Sequence, residues 1–156
     1  IIDGKTVGPF STSCACAALV AGASQGVADS LYEFGTEFGR AFQLVDDLLD
    51  LTGDPSMGKP RGTDVHEGKM TLPLIHALTT LHGAEREHLA DVLNNFSDDR
   101  WNELHSLLEI SDSMEYVKQL IQNHVDRALK ILDSLPVSPA RELMSEVALV
   151  SKKRRI

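Results

Sequence analysis

The sequence predicts an all-α fold, on three observations. Nearly every segment places its apolar residues at three- and four-residue steps, the spacing that gathers them on one side of an α-helix. No run alternates apolar and polar residues and then turns tightly into a second such run, as paired strands would require. With 42% hydrophobic and 24% charged residues, the 156-residue chain has the composition of one globular core, and residues 1–156 are expected to form a single domain.

In chain order, a small-residue helix rich in Ala and Ser is expected from about Pro9 to Ser24, with Gly26 marking its end. A longer helix follows from about Val27 to Thr52, where Leu31, Phe34, Phe38, Phe42, Val45 and Leu49 form one apolar stripe. Gly35 and Gly39 cut a notch into it that suits close helix packing. From Gly53 to Met70, four glycines and two prolines predict a long loop without helix, of the kind that serves as a lid or binding loop. Its glycines and lysines are expected to lack packing partners until an anion arrives. Helices resume at about Thr71 to Leu81, Ala84 to Asn95, Ser97 to Glu109 and Ser111 to Ser134, with Ser97 as an N-cap. Pro136 stops the fourth of these, and a last helix runs from about Pro139 to Val150 into the basic tail Lys152 to Arg155.

Charge and composition exclude several function classes. The formal charge is −8 even though the tail is basic, so the body is more acidic still and nucleic acid is not an expected partner. A polyanion can nevertheless bind locally where divalent cations invert the field of carboxylates. No apolar run approaches the roughly 20 residues that span a bilayer, so no transmembrane helix is expected. Cys14 and Cys16 stand two apart in an apolar helical stretch and point in different directions. Buried free thiols are expected, which suits a reducing, cytoplasmic setting. The chain opens Ile1-Ile2-Asp3 without a methionine, so its natural N-terminus, with any targeting signal, is expected upstream.

The chemistry concentrates in Phe42-Gln-Leu-Val-Asp-Asp-Leu-Leu-Asp50. On a helix, Asp46 and Asp50 stack at i and i+4, Asp54 would continue the line, and Asp47 flanks it. Like charges so placed oppose folding by a few tenths of a kcal/mol each, roughly. A bound cation offsets them, and carboxylate oxygens suit Mg²⁺, which keeps several waters and takes phosphate oxygens as further ligands. The plain alternative is a solvated acidic face. The cationic loop beyond it, with Lys59, Arg61 and Lys69 among glycines that admit close backbone approach, favours a metal-diphosphate clamp. His76 reads as a packing or surface histidine, and Trp101 as core.

Four pieces together resemble the trans-isoprenyl diphosphate synthases, an all-α family with a helical-bundle fold. Gly4-Lys5-Thr6 is similar to the family's Lys-Thr pair, and Phe42-Gln43 with Asp46, Asp47 and Asp50 to its second aspartate-rich motif. Gly58-Lys59-Pro60 with Gly62-Thr63-Asp64, and Glu67-Gly68-Lys69-Met70-Thr71-Leu72-Pro73, resemble the loop after it. The resemblance covers nearly all of the chain but only the later, C-terminal half of a family member.

It implies a prenyltransferase of isoprenoid biosynthesis that condenses an allylic diphosphate with isopentenyl diphosphate. Asp46 and Asp50 would hold Mg²⁺ with Asp47 in support. Lys5, Lys59 and Lys69 would bind diphosphate oxygens, and Thr6 and Gln43 would lie near the reacting carbons. It also implies a homodimer or higher even oligomer, and a segment inactive by itself, because the family's first aspartate-rich motif is absent from these residues. Val7-Gly8-Pro9-Phe10 departs from the family's uninterrupted helix, so Lys5 and Thr6 are expected in a differently shaped segment. Two other readings stand beside the enzyme: a non-catalytic regulatory subunit of a hetero-oligomeric synthase, which that altered segment would suit, and a class I terpene cyclase. The loop from Gly58 to Pro73 favours chain elongation over cyclisation.

Overall fold

The computed structural model describes residues 3–52 and 62–153. Among them eight α-helices occur in order: α1 (Gly8–Val20), α2 (Gln25–Thr52), α3 (Thr63–His66), α4 (Leu72–Thr80), α5 (Gly83–Asn94), α6 (Trp101–Ile110), α7 (Ser113–Asp133) and α8 (Pro139–Lys153). A π-helical turn, Asp3–Val7, leads into α1, and a 3-10 turn, Asp98–Arg100, leads into α6. No strand occurs among the described residues, and none of the described helices is long and apolar enough to cross a membrane.

Three local expectations are corrected. Helix α1 ends at Val20, closed by Gly22 in the left-handed region (φ 78°). Gly22 N–H donates to Leu19 C=O and Ala23 N–H to Ala18 C=O, the paired bonds of a Schellman cap, so Gly22 ends the helix and Gly26 lies inside α2. The expected loop contains the helical turn α3, which starts just after Gly62 at φ 70°. Helix α6 begins at Trp101, a turn later than expected, and Ser97 makes no side-chain cap bond to the backbone.

The chain packs as two compact units. The first takes in the described parts of Ile1–Val45 and Leu120–Arg154. Its core gathers Phe34 and Phe38 of α2, Ala128 and Leu132 of α7 and Ala148 of α8, with Phe10 of α1 set edge-on to Phe38 at 5.0 Å. The glycine notch is what lets α1 approach α2: a Cβ on Gly35 would lie 2.6 Å from Ser11 Cα, and one on Gly39 3.0 Å from Val7 Cα. Because the obstacle is backbone, α1 would have to move bodily. Gly35→Ala is therefore expected to destabilise the chain by about 3 kcal/mol, read as a lower urea midpoint. Gly26→Ala, with nothing within 4 Å of its Cβ, should cost nothing. Equal midpoints for the two variants would disprove the close crossing.

The cysteine expectation is half right. Cys14 is partly buried against this core, whereas Cys16 lies on the exposed side of α1; both are free thiols. Two residues on a helix are about 200° apart, so burying one exposes the other.

The second unit lies within Asp46–Gln119. Leu51, Val65, Leu74, Leu89, Leu104 and Leu108 form its centre. Trp101 is buried as expected, edge-on to Phe96 at 6.0 Å, and covers Gly62, whose Cβ would come within 2.5 Å of the indole. His105 Nε2 donates to Leu51 C=O at 2.7 Å, satisfying one of the carbonyls left open at the end of α2.

Candidate active site

Helix α2 displays its carboxylates on different sides. Leu44, Val45, Asp47, Leu48 and Leu51 are all buried, so Asp47, only 4% exposed, belongs to the inward side. Asp46 is exposed and Asp50 half-buried, which leaves those two, one turn apart, as the accessible pair. Asp54 lies outside the described residues.

Asp50 is held by backbone donors. Its Oδ1 accepts from Thr63 N–H at 2.9 Å and its Oδ2 from Asp64 N–H at 3.0 Å, while its own carbonyl accepts from Gly62 N–H at 2.9 Å. Burial pushes the Asp50 carboxyl above its ordinary range; the Asp64 and Asp46 charges add to that, and the two N–H bonds oppose it.

Lys69 is not free of partners, contrary to the expectation for the loop lysines. Its Nζ donates to Asp64 Oδ1 at 2.8 Å and lies 2.6 Å from Glu67 Oε2, and its N–H donates to Asp64 C=O at 2.8 Å. Those carboxylates raise the ammonium's pKa above the ordinary lysine value, the Asp64 hydrogen bond first. Lys59 and Arg61 lie outside the described residues, as do Arg154 and Arg155 of the basic tail.

Within the first unit, Thr6 Oγ1 donates to Gln43 Oε1 at 2.7 Å, joining two sequence pieces 37 residues apart. Lys5 is exposed beside Thr6 in the π-helical turn, and Pro9 occupies the first turn of α1, where its missing N–H costs nothing. The pair sits in a π-helical turn that runs directly into α1.

Sequence reasoning missed the parts played by Asp64 and Glu67, whose value as lysine partners becomes visible only once α3 folds. It also assigned nothing to Thr71, whose Oγ1 is buried without a hydrogen-bond partner among the described residues. His76 is a packing residue, bonded through Nδ1 to Ser113 Oγ at 2.9 Å and stacked on Tyr116 at 4.0 Å.

Comparison with known proteins agrees with the motif reading. The family model described as "Polyprenyl synthetase" matches residues 1–110. Component 2 of the heptaprenyl diphosphate synthase of Geobacillus stearothermophilus is 36% identical over 98% of this chain and 48% of its own length. The octaprenyl diphosphate synthase of Escherichia coli K12 is 32% identical over 99% of this chain and 48% of its own. Among solved structures, a polyprenyl synthase from Caulobacter crescentus CB15, complexed with calcium and isoprenyl diphosphate, superimposes with a TM-score of 0.90 at 29% identity, over 99% of this chain and 48% of that one. The chain spans about half the length of these relatives. A family match running through the Lys-Thr pair, the acidic helix and the segment after it, together with a likeness in fold over nearly the whole chain, leads to one conclusion: the chain belongs to the polyprenyl synthetase family.

Proposed function

We propose that this chain supplies the later half of a Mg²⁺-dependent prenyltransferase. In that reaction the allylic C–O bond breaks and diphosphate departs. The double bond of isopentenyl diphosphate attacks the resulting cation, and loss of a proton restores a double bond. The Thr6–Gln43 hydrogen bond carries the reading, because it brings together two pieces of the family resemblance, the Lys-Thr pair and Phe42-Gln43.

The donor set fits magnesium. Asp46 and Asp50, one helical turn apart and both accessible, offer hard oxygens. Mg²⁺ takes one or two carboxylates and completes its shell with water and phosphate. Asp46 would hold it, with Asp50 one turn on in support and Asp47 behind them on the inward side of α2, and when bound it would offset the charge gathering on the departing diphosphate. Lys5, Lys59 and Lys69 would bind diphosphate oxygens as point charges. The Thr6 and Gln43 dipoles would face the cationic carbons, stabilising charge without a covalent nucleophile.

Lys69 must exchange Asp64 and Glu67 for phosphate oxygens in this reading. Adding Mg²⁺ and inorganic pyrophosphate should therefore slow amide hydrogen exchange from Gly62 to Met70. Unchanged exchange at saturating pyrophosphate would make Lys69 an ordinary surface residue. We extend the reading to a cytoplasmic protein in an even-numbered oligomer.

A second reading is favoured by the Geobacillus relative, which is named as a component. That name supports a hetero-oligomeric synthase; the further step to a non-catalytic subunit rests on the departure from the family pattern at Val7-Gly8-Pro9-Phe10. Replacing Asp46 in the assembled protein separates the two readings, since a regulator would tolerate it.

A further inference from the structure

The third aspartate of the acidic helix is tied to a second segment of the chain. A carboxylate oxygen has two lone pairs, so a single backbone N–H on each does not bar a metal, but it ties Asp50 to the segment that donates. Here each oxygen takes one, from the first two residues of α3, across 13 and 14 residues of sequence. The main chain repeats the tie through Gly62 N–H and Asp50 C=O. Gly62 itself is fixed by the indole of Trp101, which leaves no room for a Cβ. The chain therefore returns to the end of α2 at one defined point.

From that point the backbone leads directly to Lys69, the lysine assigned to diphosphate in the proposed function. Asp64 supplies its N–H to Asp50, its carbonyl to Lys69 N–H and its carboxylate to Lys69 Nζ. A carboxylate that accepts the open N–H groups of a helical turn acts as an N-cap. In this case the capping group comes from the preceding long helix and not from the residue before the turn, which is Gly62 and has no side chain to offer.

We infer that Asp50 is a positioning residue: it caps α3 and so sets the place of Lys69, and it acts on the diphosphate through that lysine while Asp46 meets the metal. This rests on the prenyltransferase reading and divides the labour within its acidic motif. It also gives the spacing of the motif a second reason. Asp50 lies in the last turn of α2, where a side chain can reach a returning chain; Asp46, a turn earlier, stays open to solvent.

The test uses the catalytically complete protein that contains this segment. Without ligand, Asp50→Ala should speed exchange of the Thr63 and Asp64 amides at least 10-fold, while Asp46→Ala leaves them unchanged. A double-mutant cycle then reads the route. Asp50→Ala should weaken binding of inorganic pyrophosphate in Mg²⁺ about 10-fold alone but under twofold in a Lys69→Met background, because coupled residues are not additive. Asp46→Ala should weaken it equally in both backgrounds. Should Asp50→Ala fail to fold, Asp50→Asn keeps one acceptor and should lie between wild type and loss in both measurements. Unchanged Thr63 and Asp64 exchange, or an Asp50 effect that is the same with and without Lys69, would overturn the inference and return Asp50 to direct metal binding. If the unsubstituted protein fails to bind pyrophosphate in Mg²⁺, the prenyltransferase reading falls, and the exchange arm still decides whether Asp50 caps α3.

Discussion

Replacing Asp46 by alanine should lower turnover of the catalytically complete protein by roughly 100-fold or more, the usual loss when one preorganised charge-stabilising group is removed. Asp46 is the exposed member of the acidic helix, so its removal takes a hard oxygen ligand from the metal without opening a cavity or orphaning a buried partner. Circular dichroism and urea midpoint should therefore stay at wild-type values while kcat falls. Asp50→Ala should be weaker but still severe, with its effect falling mainly on KM, since Asp50 acts on binding through the segment it caps. Steady-state rates near wild type for both variants would remove the metal-diphosphate site from this helix and favour the regulatory-subunit reading.

The 156-residue chain incubated alone with an allylic diphosphate, isopentenyl diphosphate and Mg²⁺ should form no elongated product. Condensation requires both substrates to be held in register, and that ordering is worth about 7 kcal/mol or more of the barrier. The chain spans about half the length of its relatives, and its sequence holds one aspartate-rich helix where the resemblance implies two. Half a site would bind one diphosphate and leave the second substrate to collide at random. Adding the N-terminal half of a relative should restore measurable elongation, monitored as radiolabel passing from isopentenyl diphosphate into longer products. Product from the chain alone would mean that Asp46, Asp50 and the lysines suffice for both substrates.

Helices and their inward faces were legible in the sequence because both arise from local spacing. The stripe through Phe34 and Phe38 predicted the buried side of α2, and Gly35 and Gly39 predicted the close approach that the backbone of Ser11 and Val7 confirms. Trp101 read as core and is core. Misreadings fell where local rules compete. Gly22 and Gly26 are equally good punctuation on paper, and only the Schellman bonds at Gly22 decide between them. The segment from Thr63 to His66 is too short to show a helical period among so many glycines, so α3 was hidden.

The sequence by itself determined an all-α chain, an acidic helix with a cationic segment after it, and the family those pieces resemble, since periodicity and motif spacing are properties of neighbours along the chain. Tertiary structure alone decided what each polar group does. Asp46 and Asp50 are equivalent on a helical wheel, yet one faces solvent and the other caps a turn 13 residues away; Thr6 meets Gln43 across 37 residues, and Lys69 is occupied by Asp64 and Glu67. A hydrogen bond is formed or lost within a few tenths of an ångström around about 3 Å. No sequence spacing carries that precision, and only packing brings a remote backbone N–H to the oxygen that accepts it.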